Sequence, residues 1–317
     1  MANGTGSNKD IVDVDQVREY VKEHSQDVYE YTYENGRRYA STKLGPPGLI
    51  SDRIIRPNDE PEIQRLNQQG GRLHLAPINT STPRILDIGC GSGIWAIQMA
   101  EEYPGGSIVG MDVSPIQPKN KPDNVEWVLG DVEKEWPFEK ESFDLIHLSL
   151  VHGCVADWGG MMTKIKSYIK PGGYIEQQEL ALGTLYSKDG TVQPSDVQPE
   201  WCRYMKEAGL KRGRPVDLGP QIKGFLQNAP FADIGEEVFP MPVGTWPTDE
   251  KQKMIATHFM MQTLGGIEGY SMMVFTKVLG WSVEKTKEYL ERVKEYCKDD
   301  SKHKYMDLHV AWGRKEA

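Results

Sequence analysis

The stretch Ile85-Leu86-Asp87-Ile88-Gly89-Cys90-Gly91-Ser92-Gly93 decides the fold. Ile85, Leu86 and Ile88 form the short apolar run of a buried strand. Three glycines at every second position follow, where a chain must turn tightly and lie close to a ligand. A helix then begins. Ile94, Trp95, Ile97, Met99 and Ala100 cover much of its circumference, as in a helix packed on a sheet, and Pro104, Gly105 and Gly106 stop it.

Charge and spacing indicate what the turn holds. The dinucleotide fingerprint G-x-G-x-x-G needs a small third residue for close helix packing, and here that position is Ile94. Asp87 precedes the turn, where its carboxylate opposes a pyrophosphate at the helix N-terminus. S-adenosylmethionine has no phosphate and carries an α-ammonium and a sulfonium, so an acidic group beside Gly89, Gly91 and Gly93 suits it. Asp112 ends the next apolar run, 19 residues beyond Gly93, where a carboxylate can accept hydrogen bonds from both ribose hydroxyls. Asp131 closes the run after that and could take the adenine amino proton. Any one of these aspartates alone is an ordinary cap or turn residue. Their recurrence at consecutive strand ends carries the reading of a methyl-donor site.

A chain of 317 residues with 38% hydrophobic content can bury one large core with an added lid. The net charge of −9 argues against a nucleic-acid partner held by phosphate contacts. Lys211-Arg212-Gly213-Arg214 is the densest basic cluster and reads as a solvated loop. The four cysteines are far apart, form no C-x-x-C pair and read as reduced thiols. Residues 1–10 lack the apolar core of a signal peptide and no stretch approaches a membrane span, so a soluble, cytoplasmic protein is expected.

Along the chain, Ile11, Val14, Val17, Tyr20, Val21 and Val28 predict an amphipathic helix over residues 11–31. Tyr31-Thr32-Tyr33-Glu34-Asn35-Gly36-Arg37-Arg38-Tyr39 fits no simple strand or helix period, and reads either as a lid over a cofactor or as an exposed turn. Pro57-Asn58-Asp59-Glu60-Pro61 starts a further helix that ends near Gly70-Gly71. A helical cap of residues 1–80 thus precedes a catalytic core of residues 81–317.

From 84 to 182 strands and helices alternate, which implies a mainly parallel sheet. Ser149-Leu150-Val151-His152-Gly153 follows the fourth strand, at the carboxyl end that faces the ligand crevice. His152 is the candidate base for an acceptor hydroxyl or amine, although a loop histidine can equally cap a helix or bond a carbonyl. Helical insertions are expected at about 183–230, with Trp201, Tyr204, Met205 and Leu210 on an apolar face, and at 248–298. In the second, Thr248 and Ser282 serve as caps and Gly265-Gly266 and Gly280 as stops. That block, before a last strand over 304–312, is free to form a substrate lid. Its Met254, Met260, Met261, Met272 and Met273 with His258 predict that the acceptor pocket borders it. Trp201, Met205, His258 and Met261 are the candidate pocket residues, with His258 as reserve base. Asp144 and His147 point to opposite faces of a strand, so no metal pair is read there.

Several runs together are more specific than the glycine turn. They are Glu34-Asn35-Gly36-Arg37-Arg38-Tyr39, Pro57-Asn58-Asp59-Glu60 with Glu62 and Arg65, the glycine turn with its helix, and Asp112-Val113-Ser114-Pro115-Ile116-Gln117-Pro118. Asp131 with Glu133 and Trp136, Phe143-Asp144-Leu145-Ile146-His147, Lys170-Pro171-Gly172-Gly173-Tyr174-Ile175-Glu176, Leu279-Gly280-Trp281 and Gly313-Arg314-Lys315 continue the match. With them the chain resembles the class I S-adenosylmethionine-dependent methyltransferases, and more narrowly the fungal LaeA-like methyltransferases, nearly end to end. The resemblance implies a doubly wound α/β fold with a seven-stranded, mainly parallel sheet whose last strand is antiparallel. It implies the donor along the first strand ends with residues 34–39 folded over it, and cofactor contacts at Tyr33, Glu34, Arg38, Tyr39, Val113, Gln117, Val132 and Ser149. Ser149 stands where many relatives have arginine, and Ala40 where a histidine often follows the tyrosine.

The leading expectation is methyl transfer to oxygen or nitrogen of a medium-sized, partly apolar metabolite in secondary metabolism, without a metal. A LaeA-like regulator acting through partner proteins, with nuclear localisation in that case, is an alternative, as is a cofactor-dependent cyclase without net methyl transfer. Nucleic-acid methylation is the weakest transferase reading, because residues 149–152 supply neither proline nor aromatic ring.

Overall fold

The computed structural model describes residues 32–34, 37–39 and 73–316. Strands β1 (Thr32–Glu34) and β2 (Arg37–Tyr39) pair antiparallel, with Tyr33 opposite Arg38 and Glu34 opposite Arg37. The aromatic and charged run therefore does contain strands, two short ones joined by two residues. The helices expected over 11–31 and from Pro57 onward lie outside the described residues, as do the side chains of Tyr33, Glu34, Arg38 and Tyr39.

The sheet has seven strands, β3 (Arg84–Ile88), β4 (Ser107–Asp112), β5 (Val125–Leu129), β6 (Phe143–Ser149), β7 (Ile169–Leu180), β8 (Ala232–Val243) and β9 (Lys304–Arg314). Their order is β5-β4-β3-β6-β7-β9-β8; β9 runs antiparallel to both neighbours and the β3 to β7 pairs are parallel. From β3 the chain winds outward through β4 and β5, then returns to place β6 on the other side of β3. That reversal opens a crevice outside the carboxyl ends of the central strands. Helices α1 (Ile94–Glu102), α2 (Trp158–Tyr168), α3 (Val197–Lys211) and α4 (Ile222–Asn228) follow in chain order. Leu86, Ile88, Ile146 and Leu148 are fully buried, as central strands covered on both faces require.

The segment expected as an insertion over 183–230 divides in two. Ile222 and Leu226 of α4 pack into the main core with Trp158 and Ile165 of α2, so α4 belongs to the doubly wound fold. Helix α3 instead joins α5 (Glu250–Met273), a π-helical turn (Val274–Val278) and α6 (Val283–Lys298) around a second core that includes Trp201, Met205, Ile267, Phe275 and Leu290. Helix α5 runs straight through Gly265-Gly266. Gly266 and Gly269 are buried, so the missing side chains let the helix pack closely rather than end. Its cap is Asp249, not Thr248, accepting from the Gln252 amide at 2.9 Å, whereas Ser282 caps α6 as expected. Leu210 is 65% exposed at the end of α3, beyond the packed part of that helix. Arg214 is buried rather than solvated, paired with Glu133 at 2.7 Å. Among the described residues no helix is long and apolar enough to cross a membrane, and the four cysteines form no disulfide.

One carboxylate ties the chain entering β3 to the sheet. Glu176 on β7 is fully buried and its Oε2 accepts from the Leu75 and Ala76 amides at 2.6 and 2.7 Å. Trp95 of α1 adds a bond from its indole N–H to the Leu73 carbonyl at 2.6 Å. Replacing the carboxylate strands two backbone donors, and hydrogen bonds to a charged group contribute roughly 1.5–3 kcal/mol each. Glu176→Ala is therefore expected to lower unfolding free energy by about 3 kcal/mol in denaturant titration; an unchanged midpoint and slope would contradict this anchoring.

Candidate active site

The glycine turn lies where β3 hands over to α1. Gly89, Gly91 and Gly93 all take left-handed backbone, with φ of 69°, 55° and 79°. Two of them are also needed for space. A Cβ on Gly89 would lie 2.7 Å from Val151 Cγ1, and one on Gly93 would lie 2.4 Å from the Trp127 ring. The turn is pinned to the next strand by the Gly89 amide, which donates to the Met111 carbonyl at 2.8 Å.

Asp112 at the end of β4 faces this turn. Its Oδ2 accepts from the Gly91 amide and its Oδ1 from the Ser114 amide, both at 2.9 Å. Burial pushes its carboxyl up to about 6, against the lowering effect of those amides. Gln117 closes the loop from the other side, donating to the Gly91 and Ser114 carbonyls at 2.6 and 2.9 Å. Val113 is half-buried beside Asp112. Beyond β5, Asp131 Oδ1 accepts from the Glu133 amide at 2.9 Å, and Val132 packs on the main core. Ser149 ends β6, opposite Gln178 of β7. The carboxyl ends of four strands thus bring together the glycines, Asp112, Gln117, Asp131 and Ser149.

Asp87 differs from expectation. It is buried at 3% exposure and its Oδ1 meets Nδ1 of His147 on β6 at 2.8 Å, while the His147 ring stacks on Trp95 at 3.7 Å. Parallel pairing of β3 with β6 puts Asp87 and His147 side by side, so the carboxylate turns to the neighbouring strand. Burial raises its carboxyl despite the histidine, and its charge adds to the upward push on Cys90 and Asp112.

A cavity opens beside the loop that follows β6. Its walls include Leu150, His152, Leu180, Trp201, Met205 and Phe259, with Gln198, Gln262, Thr263 and Tyr270 supplying polar atoms. No carboxylate, lysine or arginine is among the described lining residues. Trp201 and Met205 are at the wall, but His258 and Met261 are not. They lie on the outer side of α5, where Met261 is 53% exposed and the His258 ring bonds the Met254 carbonyl. The methionine and histidine spacing marks a helix face, and packing turned the adjoining face, with Phe259, Gln262 and Ile267, to the cavity.

His152 is at this wall with 9% exposure, and its Nδ1 is 3.1 Å from Oε2 of Glu179, a fully buried residue near the end of β7. The other Glu179 oxygen accepts from the Val151 amide at 2.9 Å. Leu150 holds the unusual φ of 53°, and the loop is fastened further by the Gly153 amide on the Pro215 carbonyl and by Arg214 on the Cys154 carbonyl. Glu179 was not foreseen. The signal for it was the polar run Glu176-Gln177-Gln178-Glu179 inside a strand that the sheet buries. No group of three or more His, Cys, Asp or Glu among the described residues could hold a metal ion.

A left-handed glycine turn, cramped against its neighbours and faced by a half-buried carboxylate at the next strand end, offers acceptors for an uncharged ribose, and among the described residues no cluster of cations faces it as a phosphate would need. This is the arrangement expected of the donor site in a class I S-adenosylmethionine-dependent methyltransferase. A family model described as a methyltransferase domain matches residues 62–214. The chain is 34% identical to the methyltransferase pytC of Aspergillus terreus, over 92% of this chain and 90% of that protein. It is 32% identical to the secondary metabolism regulator LAE1 of Cochliobolus heterostrophus, over 89% and 94% respectively. The chain belongs to this family, the fungal LaeA-like methyltransferases. The phosphoethanolamine N-methyltransferase 2 of Haemonchus contortus has the same fold, with a TM-score of 0.50 at 17% identity, covering 97% of this chain and 76% of that one.

Ribose hydroxyls donate best to an ionised carboxylate, so binding favours the deprotonated form of Asp112. Affinity for S-adenosylhomocysteine is expected to rise from pH 5 to 7, by up to about tenfold per pH unit below the carboxyl's value of about 6. Asp112→Asn should bind roughly 100-fold more weakly at neutral pH, since two charge-assisted bonds are weakened, and should lose that pH dependence in calorimetry. A wild type with flat affinity across this range would contradict the assignment.

Proposed function

We propose that this methyltransferase acts on a neutral hydroxyl of a medium-sized, largely apolar metabolite, with His152 as base and Glu179 as its positioning residue. The observation that carries this reading is the histidine with a buried carboxylate behind it, at the wall of an apolar cavity, on the loop whose Val151 packs against Gly89 of the glycine turn. When bound, S-adenosylmethionine supplies an electrophilic methyl group. The chain's residues do the remaining work. Asp112 and the glycine turn orient the donor, the apolar walls exclude water, and His152 Nε2 can take the hydroxyl proton while Glu179 holds Nδ1.

The lining supports oxygen over a charged amine. Burying an ammonium against apolar walls is costly without a carboxylate in contact, and the described walls offer none. A hydroxyl enters uncharged and becomes a competent nucleophile as its proton leaves. Secondary metabolism is the setting named for the Cochliobolus relative, and an apolar metabolite acceptor accords with it. Regulation, the role in that relative's name, is the second reading; through a partner protein it would not require His152.

Transfer of labelled methyl from S-adenosylmethionine to a panel of neutral phenols and alcohols, naphthol among them, tests the proposal. His152→Ala is expected to lower kcat roughly 100-fold or more with little change in affinity for S-adenosylhomocysteine. Glu179→Gln should lower kcat by about tenfold while KM holds. Full activity of His152→Ala, or transfer confined to amines, would defeat it.

A further inference from the structure

We propose that Gln198 reads a hydrogen-bond donor on the acceptor, so that the cavity selects an uncharged ring system carrying one hydroxyl at His152 and a second donor group at the α3 wall. This rests on the acceptor reading above and adds a second point of recognition to it.

Two polar side chains of the cavity wall are paired within the protein. The Trp201 indole donates to the Ser271 hydroxyl at 2.9 Å, and the Thr263 hydroxyl donates to the Phe259 carbonyl at 2.9 Å. Gln262 is half-buried. Gln198 is different. It is 1% exposed, lines the cavity, and its Oε1 has no hydrogen-bond partner among the described residues. The Gln198 side chain partly offsets the upward push of burial on the Cys297 thiol of α6, and its carbonyl oxygen is the end without a partner.

A buried carbonyl without a partner is costly, and the great majority of such groups are satisfied. One kept at the wall of an apolar cavity is satisfied when a ligand brings the donor. Such a site discriminates by chemistry as well as by shape, because an analogue lacking the donor leaves the carbonyl stranded. The rings of Trp201, Phe259 and Tyr270 around the same space suit an aromatic or polyunsaturated ring rather than a flexible chain.

The full chain loaded with S-adenosylhomocysteine can be titrated calorimetrically with naphthol, with dihydroxynaphthalenes that add a hydroxyl on the other ring, and with the ethers that cap this second hydroxyl. At least one dihydroxynaphthalene should bind roughly tenfold tighter than naphthol, and its ether should lose the gain. Gln198→Met and Gln198→Leu, checked for folding by their affinity for S-adenosylhomocysteine, should abolish the difference between diol and naphthol. Equal binding of naphthol and every diol to the wild type overturns this inference while leaving the acceptor reading intact. So does a gain that survives the ether cap or both variants. Failure of every naphthol to bind overturns the acceptor reading and this inference with it.

Discussion

The glycine turn after β3 and the loop after β6 are in contact, and there is no room between them for a side chain on Gly89. Val151 Cγ1 fills the place that a Cβ on Gly89 would need, 2.7 Å away. Much else in the molecule serves to hold that contact. Parallel pairing of β3 with β6 brings the two strand ends level, and the left-handed glycines let the backbone turn away at the point of closest approach. His152 is the residue after Val151, so the ring at the cavity wall is set relative to the glycine turn by a single peptide step.

Strand β7 fixes both approaches to this point. Glu176 and Glu179 are three residues apart, and an odd separation on a strand sends side chains to opposite faces. One carboxylate fastens the chain that enters β3. The other fastens the loop that leaves β6, taking the Val151 amide and the His152 ring. Both are fully buried, where an unpaired charge would be severely penalised, so each demands the partners it has. The pair of Glu133 and Arg214 continues this bracing from the outside, since Glu133 accepts from the Ala156 amide and Arg214 reaches the Cys154 carbonyl.

What was legible in the sequence was local. The glycine turn, Asp112 and the alternation of strands and helices follow from spacing over a few tens of residues, and the parallel sheet follows from them. What was not legible depends on which way an element faces. Met261 and His258 share a helix with Phe259 and Gln262, and the spacing of apolar residues around α5 did not single out one side. Gly265-Gly266 looked like a stop because intrinsic propensity disfavours glycine in helices, but close packing overrode it. Asp87 was read as facing the turn because its neighbour across the sheet, His147, is 60 residues away in sequence. Glu179 and Gln198 could be noticed only as polar residues in segments that the fold then buried.

The proposed reaction space lies between the glycine turn and the His152 wall. A crystal structure of the protein with S-adenosylhomocysteine tests this most directly. Density with the ribose on Asp112 and the sulfur directed toward the cavity at His152 is the predicted result. Density that leaves Asp112 without a ribose contact, or that directs the sulfur away from that cavity, would contradict it.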